Sequence, residues 1–157
     1  MKKKYLCSLL SSKKHVLFYV MVAALSGILG TTQAQSLSNI EVENAIKADG
    51  KYAMLVQTSR HLRGAITVGA EMRENSPDMQ FVITMAGPVV KELAEDESLV
   101  EAIKTAKEHG IELIACEFAM KRLNIEKRDY HSYIQTTPNV YRYMFGIQEI
   151  GYKILTL

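Results

Sequence analysis

Three short, mostly apolar runs recur along this chain, at residues 52–57, 81–85 and 111–116. Apolar and polar residues do not alternate within them, which is typical of strands buried on both faces of a parallel sheet. Between the runs, apolar residues recur at the three- and four-residue spacing of a helix that packs on one side. The order of strand and helix therefore predicts an α/β fold with three layers: a mainly parallel sheet of about five strands, with helices on both faces.

The remaining segments extend this pattern to residue 157. Residues 133–135 predict a weak fourth strand and residues 152–157 a final strand, with a helix between them that Pro138 opens and Gly151 closes. Asn124 is suited to end the preceding short helix in a left-handed conformation. Residues 35–50 allow a short helix in a lead-in arm, which we expect to pack on the domain. No repeat or linker divides the chain, so one domain is predicted.

The first residues have the pattern of a secretory signal peptide. Lysines at positions 2–4 precede an uncharged apolar stretch at 16–29, and Thr32, Gln33 and Ala34 provide small residues for cleavage. We therefore expect residues 1–34 to be removed, leaving a domain at 35–157 that is periplasmic or secreted. A retained membrane anchor is the alternative, although the apolar stretch is shorter than the roughly 20 residues of a membrane span.

Removal of that segment changes the charge of the protein. The whole chain has a net charge of +2, whereas residues 35–157 keep 14 basic and 17 acidic residues, a net charge of −3. No basic stripe remains, so neither nucleic acid nor, after cleavage, a membrane is an expected partner. No phosphate loop or dinucleotide glycine motif is present, so no cofactor is predicted. The histidines at 61, 109 and 131 have no metal-ligand spacing with Cys116, so no metal site is predicted.

Cys116 becomes a lone cysteine once Cys7 is removed. An odd cysteine in an exported protein is a buried inert thiol, one half of an intermolecular disulfide, or a reactive thiol. Cys116 is predicted at the carboxyl end of the third strand, the edge where parallel sheets carry their sites. Residues 58–61, 86–88 and 116–118 should meet at that edge.

Four neighbouring residues are candidates for binding beside this thiol. His61 is placed to act as a base or to bind an anion, although an exposed histidine is the alternative. Gly87 precedes a helix start whose N–H groups suit an anion, or else it forms a tight turn. Arg122 would favour the thiolate, and Glu117 would oppose it by raising the pKa of the thiol.

The segment around the cysteine resembles the corresponding segment of the DsrE/DsrF-like family. Members of that family place a cysteine after the third strand, a small residue three positions on, an arginine six positions on, and often a glycine and then an aliphatic residue. The matching positions here are Cys116, Ala119, Arg122 and Ile125, and Asn124 stands where the glycine would be. The element order also matches, including Gly87 and Pro88 after the second strand.

The resemblance implies a three-layer α/β fold, assembly into homotrimers or homohexamers, and a cysteine that carries sulfur as a persulfide. Cys116 would be that residue, and a protein that donates or accepts sulfur would be its partner. The expected function is thus an exported sulfur carrier or a sulfurtransferase-like protein, and whether it is an enzyme stays open. The alternative is a non-catalytic oligomeric module that binds a small ligand, with Cys116 structural.

Overall fold

The apolar runs of the sequence form the central strands of one five-stranded sheet. The computed structural model describes residues 38–157, so the predicted signal peptide at 1–34 lies outside the described residues. The strands are β1 (Lys51–Val56), β2 (Gln80–Met85), β3 (Glu112–Cys116), β4 (Gln135–Thr137) and β5 (Lys153–Thr156). The helices are α1 (Asn39–Glu43), α2 (Ser59–Asn75), α3 (Val89–Glu95), α4 (Val100–Glu108), α5 (Glu117–Leu123) and α6 (Val140–Glu149). The predicted three-layer α/β fold is confirmed.

The strand order is β4-β3-β2-β1-β5, and every neighbouring pair is parallel. The chain moves in one direction from β1 to β4 and then returns past the whole sheet to place β5 beside β1. Because crossovers between parallel strands are right-handed, a reversal of direction places the connecting helix on the opposite face of the sheet. Accordingly, α2, α3, α4 and α5 contribute to one apolar cluster, whereas α6 contributes to the other.

Side chains alternate between these two clusters along the central strands. In β3, Leu113 and Ala115 belong to the cluster with α2, α3 and α4, whereas Ile114 and Cys116 belong to the cluster with α6. Thr84 in β2 also points to α6, since its buried hydroxyl lies 3.1 Å from the sulfur of Met144 and donates to the Met54 carbonyl at 3.3 Å. The position of Cys116 in β3 therefore directs its thiol toward the α6 layer.

Two local predictions are wrong. The fourth strand is Gln135–Thr137 and not 133–135, because Tyr133 is fixed in the preceding turn by a 2.7 Å hydrogen bond from its hydroxyl to the Ile111 carbonyl. The described part of the lead-in arm, residues 38–49, buries no side chain: helix α1 is exposed throughout, and Ile40 is 70% exposed. A hydrogen bond from the Lys47 N–H to the Tyr52 hydroxyl at 3.0 Å joins this segment to β1. The two apolar residues of α1, Ile40 and Val42, are two positions apart and lie on different sides of the helix, so α1 has no apolar face to bury. Among the described residues, no helix is long and apolar enough to span a membrane.

Candidate functional site

A cleft of about 600 Å³ opens at the carboxyl edge of the sheet, between α3 and α5. The loop after β2 and the end of β3 contribute the residues nearest the sheet, and the first turn of α6 adds Tyr141. The lining residues are Ala86, Gly87, Pro88, Lys91, Glu92, Glu95, Cys116, Phe118, Ala119, Arg122, Leu123 and Tyr141. The cleft has the size and the mainly apolar lining that are usual for a small-ligand site.

The cleft lies where the ends of two parallel neighbours meet. The loop after β2 leads to α3, and β3 leads directly into α5, so the two helices that form the cleft lie on the same face of the sheet. Open α/β sheets bind ligands at the carboxyl ends of their strands, which is the edge where this cleft opens.

Cys116 is both a core residue and part of the cleft lining. It occupies the position before α5, with φ −81° and ψ 112°, and its thiol makes no capping hydrogen bond. It is unpaired and 3% exposed, and it packs in the cluster that includes Ala86, Val140 and Met144. Cys116 is therefore almost fully buried, with its side chain in the α6 cluster, and the residue lies at the sheet side of the cleft.

Gly87 shapes the turn between β2 and α3. Its φ of +69° lies in the left-handed region, which glycine adopts readily because it has no Cβ. The N–H groups at the start of α3 already have acceptors, since Val89 donates to the Gln57 carbonyl at 3.0 Å and Val90 donates to the Gly87 carbonyl at 3.2 Å. These bonds favour the tight-turn interpretation of Gly87 over anion binding by those two amides.

Arg122 lies on the exposed side of the cleft, with its guanidinium carbon 6.0 Å from the centre of the Phe118 ring. Among residues 38–157, no carboxylate forms an ion pair with Arg122. The other cation of the lining, Lys91, pairs with Glu95 at 3.5 Å. Of the two positively charged side chains that line the cleft, Arg122 is thus the one without an ion-pair partner among residues 38–157.

Glu92 connects the cleft to a neighbouring helix. Its carboxylate accepts the backbone N–H of Ser59, the first residue of α2, at 2.6 Å. Negative charge at a helix start is favourable because the free N–H groups there carry partial positive charge. Glu92 therefore helps to hold α3 against α2, and this bond occupies one of its oxygens.

His61 and Glu117 do not line the cleft with Cys116. His61 is exposed in the first turn of α2, where its backbone N–H donates to Thr58 Oγ1 at 3.3 Å. The Glu117 carboxylate accepts the hydroxyl of Thr136 in β4 at 2.8 Å, and Glu117 lines a separate cleft of about 240 Å³ together with Lys121 and Lys127. The predicted residues that share the cleft are therefore Cys116, Gly87 and Arg122.

Tyr130 lies behind the cleft and connects the chain after α5 to the start of α3. It is buried, and its hydroxyl donates to the Val90 carbonyl at 2.7 Å. Burial raises the pKa of Tyr130 well above its usual value, and the charges of Asp129 and Cys116 add to this effect. Tyr130 is therefore a neutral hydrogen-bond donor that fixes the helix on one side of the cleft.

The sequence analysis did not identify Lys91, Glu92, Phe118 or Tyr141 as site residues. Each has the spacing of an ordinary helix-surface residue, and the contact between Glu92 and Ser59 joins positions 33 residues apart. No local sequence pattern indicates such a contact. Among the described residues, no group of three His, Cys, Asp or Glu side chains is arranged to hold a metal ion.

No protein-family model matches the chain, and no curated protein sequence matches it. Its structure is similar to that of MTH1491, a protein of unknown function from Methanobacterium thermoautotrophicum. The two share 12% sequence identity with a TM-score of 0.58, and the similarity covers 69% of this chain and 100% of the other. At this level of identity the similarity supports the three-layer α/β fold alone, and the function has to be argued from the cleft.

Proposed function

We propose that this protein is an exported DsrE-like sulfur carrier, or a sulfurtransferase-like protein, in which Cys116 accepts sulfane sulfur and passes it on. The proposal is supported by the spacing of Cys116, Ala119, Arg122 and Ile125, which resembles that family. The observation that carries it is the place of Cys116 at the end of β3, within the lining of the cleft.

The transfer conserves atoms and electrons. The Cys116 thiolate attacks the terminal sulfur of a donor persulfide, the S–S bond of the donor breaks, and the donor leaves as a thiolate that takes up the proton. Cys116 then carries a persulfide, and attack by an acceptor thiolate on its outer sulfur restores the original thiolate. No external oxidant or reductant is needed, because sulfane sulfur changes carrier without a net redox step.

The charges around the cleft favour this chemistry. Arg122 contributes positive potential to the cleft and pairs with no described carboxylate. Glu117 follows Cys116 directly in the sequence, yet its carboxylate bonds Thr136 and lines the separate smaller cleft. The acidic neighbour of the thiol thus faces β4, whereas the unpaired cation faces the cleft.

A second candidate is a non-catalytic module that binds a small ligand in the same cleft, with Cys116 as a core residue. The 3% exposure of Cys116 and its packing with the α6 layer favour this alternative. The two candidates differ in what the native thiol does when it meets a sulfur donor.

Mass spectrometry of the intact protein separates them. The full chain with Cys7→Ser, in which Cys116 is the remaining cysteine, is exposed to inorganic polysulfide and then to a small acceptor thiol. The sulfur-carrier proposal predicts a gain of about 32 Da that the acceptor thiol removes. Cys116→Ser in the same background should show no gain. A native thiol that gains mass only after the protein is unfolded would refute the sulfur-carrier proposal and support the structural role of Cys116.

The resemblance also suggests a homotrimer or homohexamer in the periplasm or the medium. Exposed apolar side chains on and directly after α6 are the surface to test for self-association: Tyr141 is 53%, Phe145 is 70% and Ile150 is 62% exposed. Sedimentation analysis of the exported protein would measure the oligomer size.

A further inference from the structure

We propose that the cleft beside Cys116 binds a small amphiphilic anion, with an apolar body between the aromatic side chains and an anionic group on Arg122. This inference deepens the proposed function, since the site is the same, and it names the chemical class of the ligand. It rests on the walls of the cleft and not on the reactivity of the thiol.

The apolar part of the ligand is indicated by the aromatic residues at the cleft. Phe118 and Tyr141 line it from different helices and are 58% and 53% exposed. Pro88 and Leu123 extend the apolar lining. Exposed aromatic rings in a concave site gain contact area when a ligand covers them, and they lose little conformational freedom on binding.

The sign of the polar group is indicated by the charges of the lining. Lys91 and Glu95 form an ion pair at 3.5 Å, and the Glu92 carboxylate accepts the Ser59 N–H at 2.6 Å. Arg122 has no described carboxylate partner, and Phe118 supports its guanidinium from one side. A guanidinium held in this way binds carboxylates and related oxyanions through paired N–H donors.

The spacing along α5 limits the length of the ligand. Cys116 precedes the helix and Arg122 is six residues later, which at 1.5 Å per residue is about 9 Å along the axis. A molecule that contacts both residues therefore needs a body of a few carbon atoms, or one ring, between its two ends. If Cys116 handles sulfur, the fitting donor or acceptor is a low-molecular-mass thiol or persulfide with a distant anionic group.

The test compares phenylbutyrate with its neutral counterpart phenylbutyramide, using isothermal titration calorimetry on the full chain. The two probes have the same apolar body and differ in charge. We expect the carboxylate to bind about fivefold more tightly than the amide, as a charge-assisted contact to a partly exposed arginine should give. Tyr141→Ala should weaken both probes to a similar degree, because it removes shared apolar contact without touching the ring that lies beside Arg122.

Arg122→Gln should abolish the preference for the carboxylate and leave amide binding in place. The matched control is Arg142→Gln, which removes the same charge from α6 next to Tyr141 but outside the cleft lining. The inference is overturned if neither probe binds, if the two probes bind equally to the parent protein, or if both arginine variants lose the preference alike. No sulfur transfer is measured, so an unreactive Cys116 would refute the proposed function and leave this result unchanged.

Discussion

The hydrogen bond between Glu92 and Ser59 yields a quantitative prediction, because one carboxylate supports two elements. Glu92 is half-buried on α3, and its oxygen accepts the first N–H of the 17-residue helix α2 at 2.6 Å. A hydrogen bond to a charged group contributes about 1.5–3 kcal/mol. The charge adds about 0.3–1 kcal/mol at a helix start, and partial exposure to solvent reduces both contributions.

We therefore expect Glu92→Ala to lower the free energy of unfolding by about 2 kcal/mol. Glu92→Gln keeps an acceptor oxygen without the charge, so its loss should be about half as large. Urea unfolding, followed by circular dichroism, measures both losses if the slope with denaturant stays constant. In a domain of this size the alanine variant should also melt about 8 °C lower.

Glu95→Ala is the matched control, because it removes an equal charge one turn later on α3. Glu95 is exposed and pairs with Lys91 at 3.5 Å, so its loss should change stability by less than about 0.5 kcal/mol. If Glu92→Ala and Glu95→Ala lower the unfolding free energy equally, the carboxylate does not stabilise the start of α2, and the reasoning is wrong.

Two further predictions concern the elements behind the cleft. Tyr130→Phe should lower stability by about 1–2 kcal/mol at neutral pH, because the Val90 carbonyl loses its donor. Because the pKa of Tyr130 is raised in the folded protein, its hydroxyl contributes fully to stability below the usual tyrosine pKa of 10.0, and this contribution is lost as the pH rises above that value. In urea unfolding, the free energy of unfolding of the variant should therefore fall less steeply at alkaline pH than that of the parent protein. An unchanged decline would contradict the burial of a neutral hydroxyl. Asn124, at φ 55°, ends α5 in the left-handed region, so Asn124→Ala should cost about 1 kcal/mol whereas Asn124→Gly should cost nothing. If the Asn124→Gly and Asn124→Ala variants melt at the same temperature, backbone conformation does not determine the stability contribution of this position.

The fold was predictable because its main determinants are local. The buried runs of β1, β2 and β3 and the left-handed Asn124 are consequences of residue type and spacing alone. The position of β4 could not be predicted in this way. This edge strand consists of Gln135, Thr136 and Thr137, which form no apolar pattern. Its position is set by hydrogen bonding to β3, and the spacing of residues along the sequence gives no indication of which residues pair.

The candidate site was predictable only where it follows the ends of adjacent strands. Gly87 and Cys116 come together because β2 and β3 are parallel neighbours. Arg122 joins them because it lies on α5, the helix that begins directly after Cys116. Tyr141 reaches the cleft because α6 begins at the carboxyl edge of the sheet, directly after β4, and Tyr141 lies in its first turn. His61 was placed in the site from its position after β1, but the helix turn leaves its side chain exposed and outside the cleft.

The return of α6 across the sheet also sets the order in which the protein can be completed during synthesis. β5 is the last of the five strands to leave the ribosome, and it pairs with β1, the first, along a register that continues to a 2.9 Å bond from the Leu157 N–H to the Leu55 carbonyl. Until β5 arrives, β1 is an open edge that carries the apolar residues Leu55 and Val56, and such edges recruit strands from other molecules. A nascent chain of this protein thus exposes the β1 edge until β5 has been made, and a chaperone that covers strand edges would matter most in that interval.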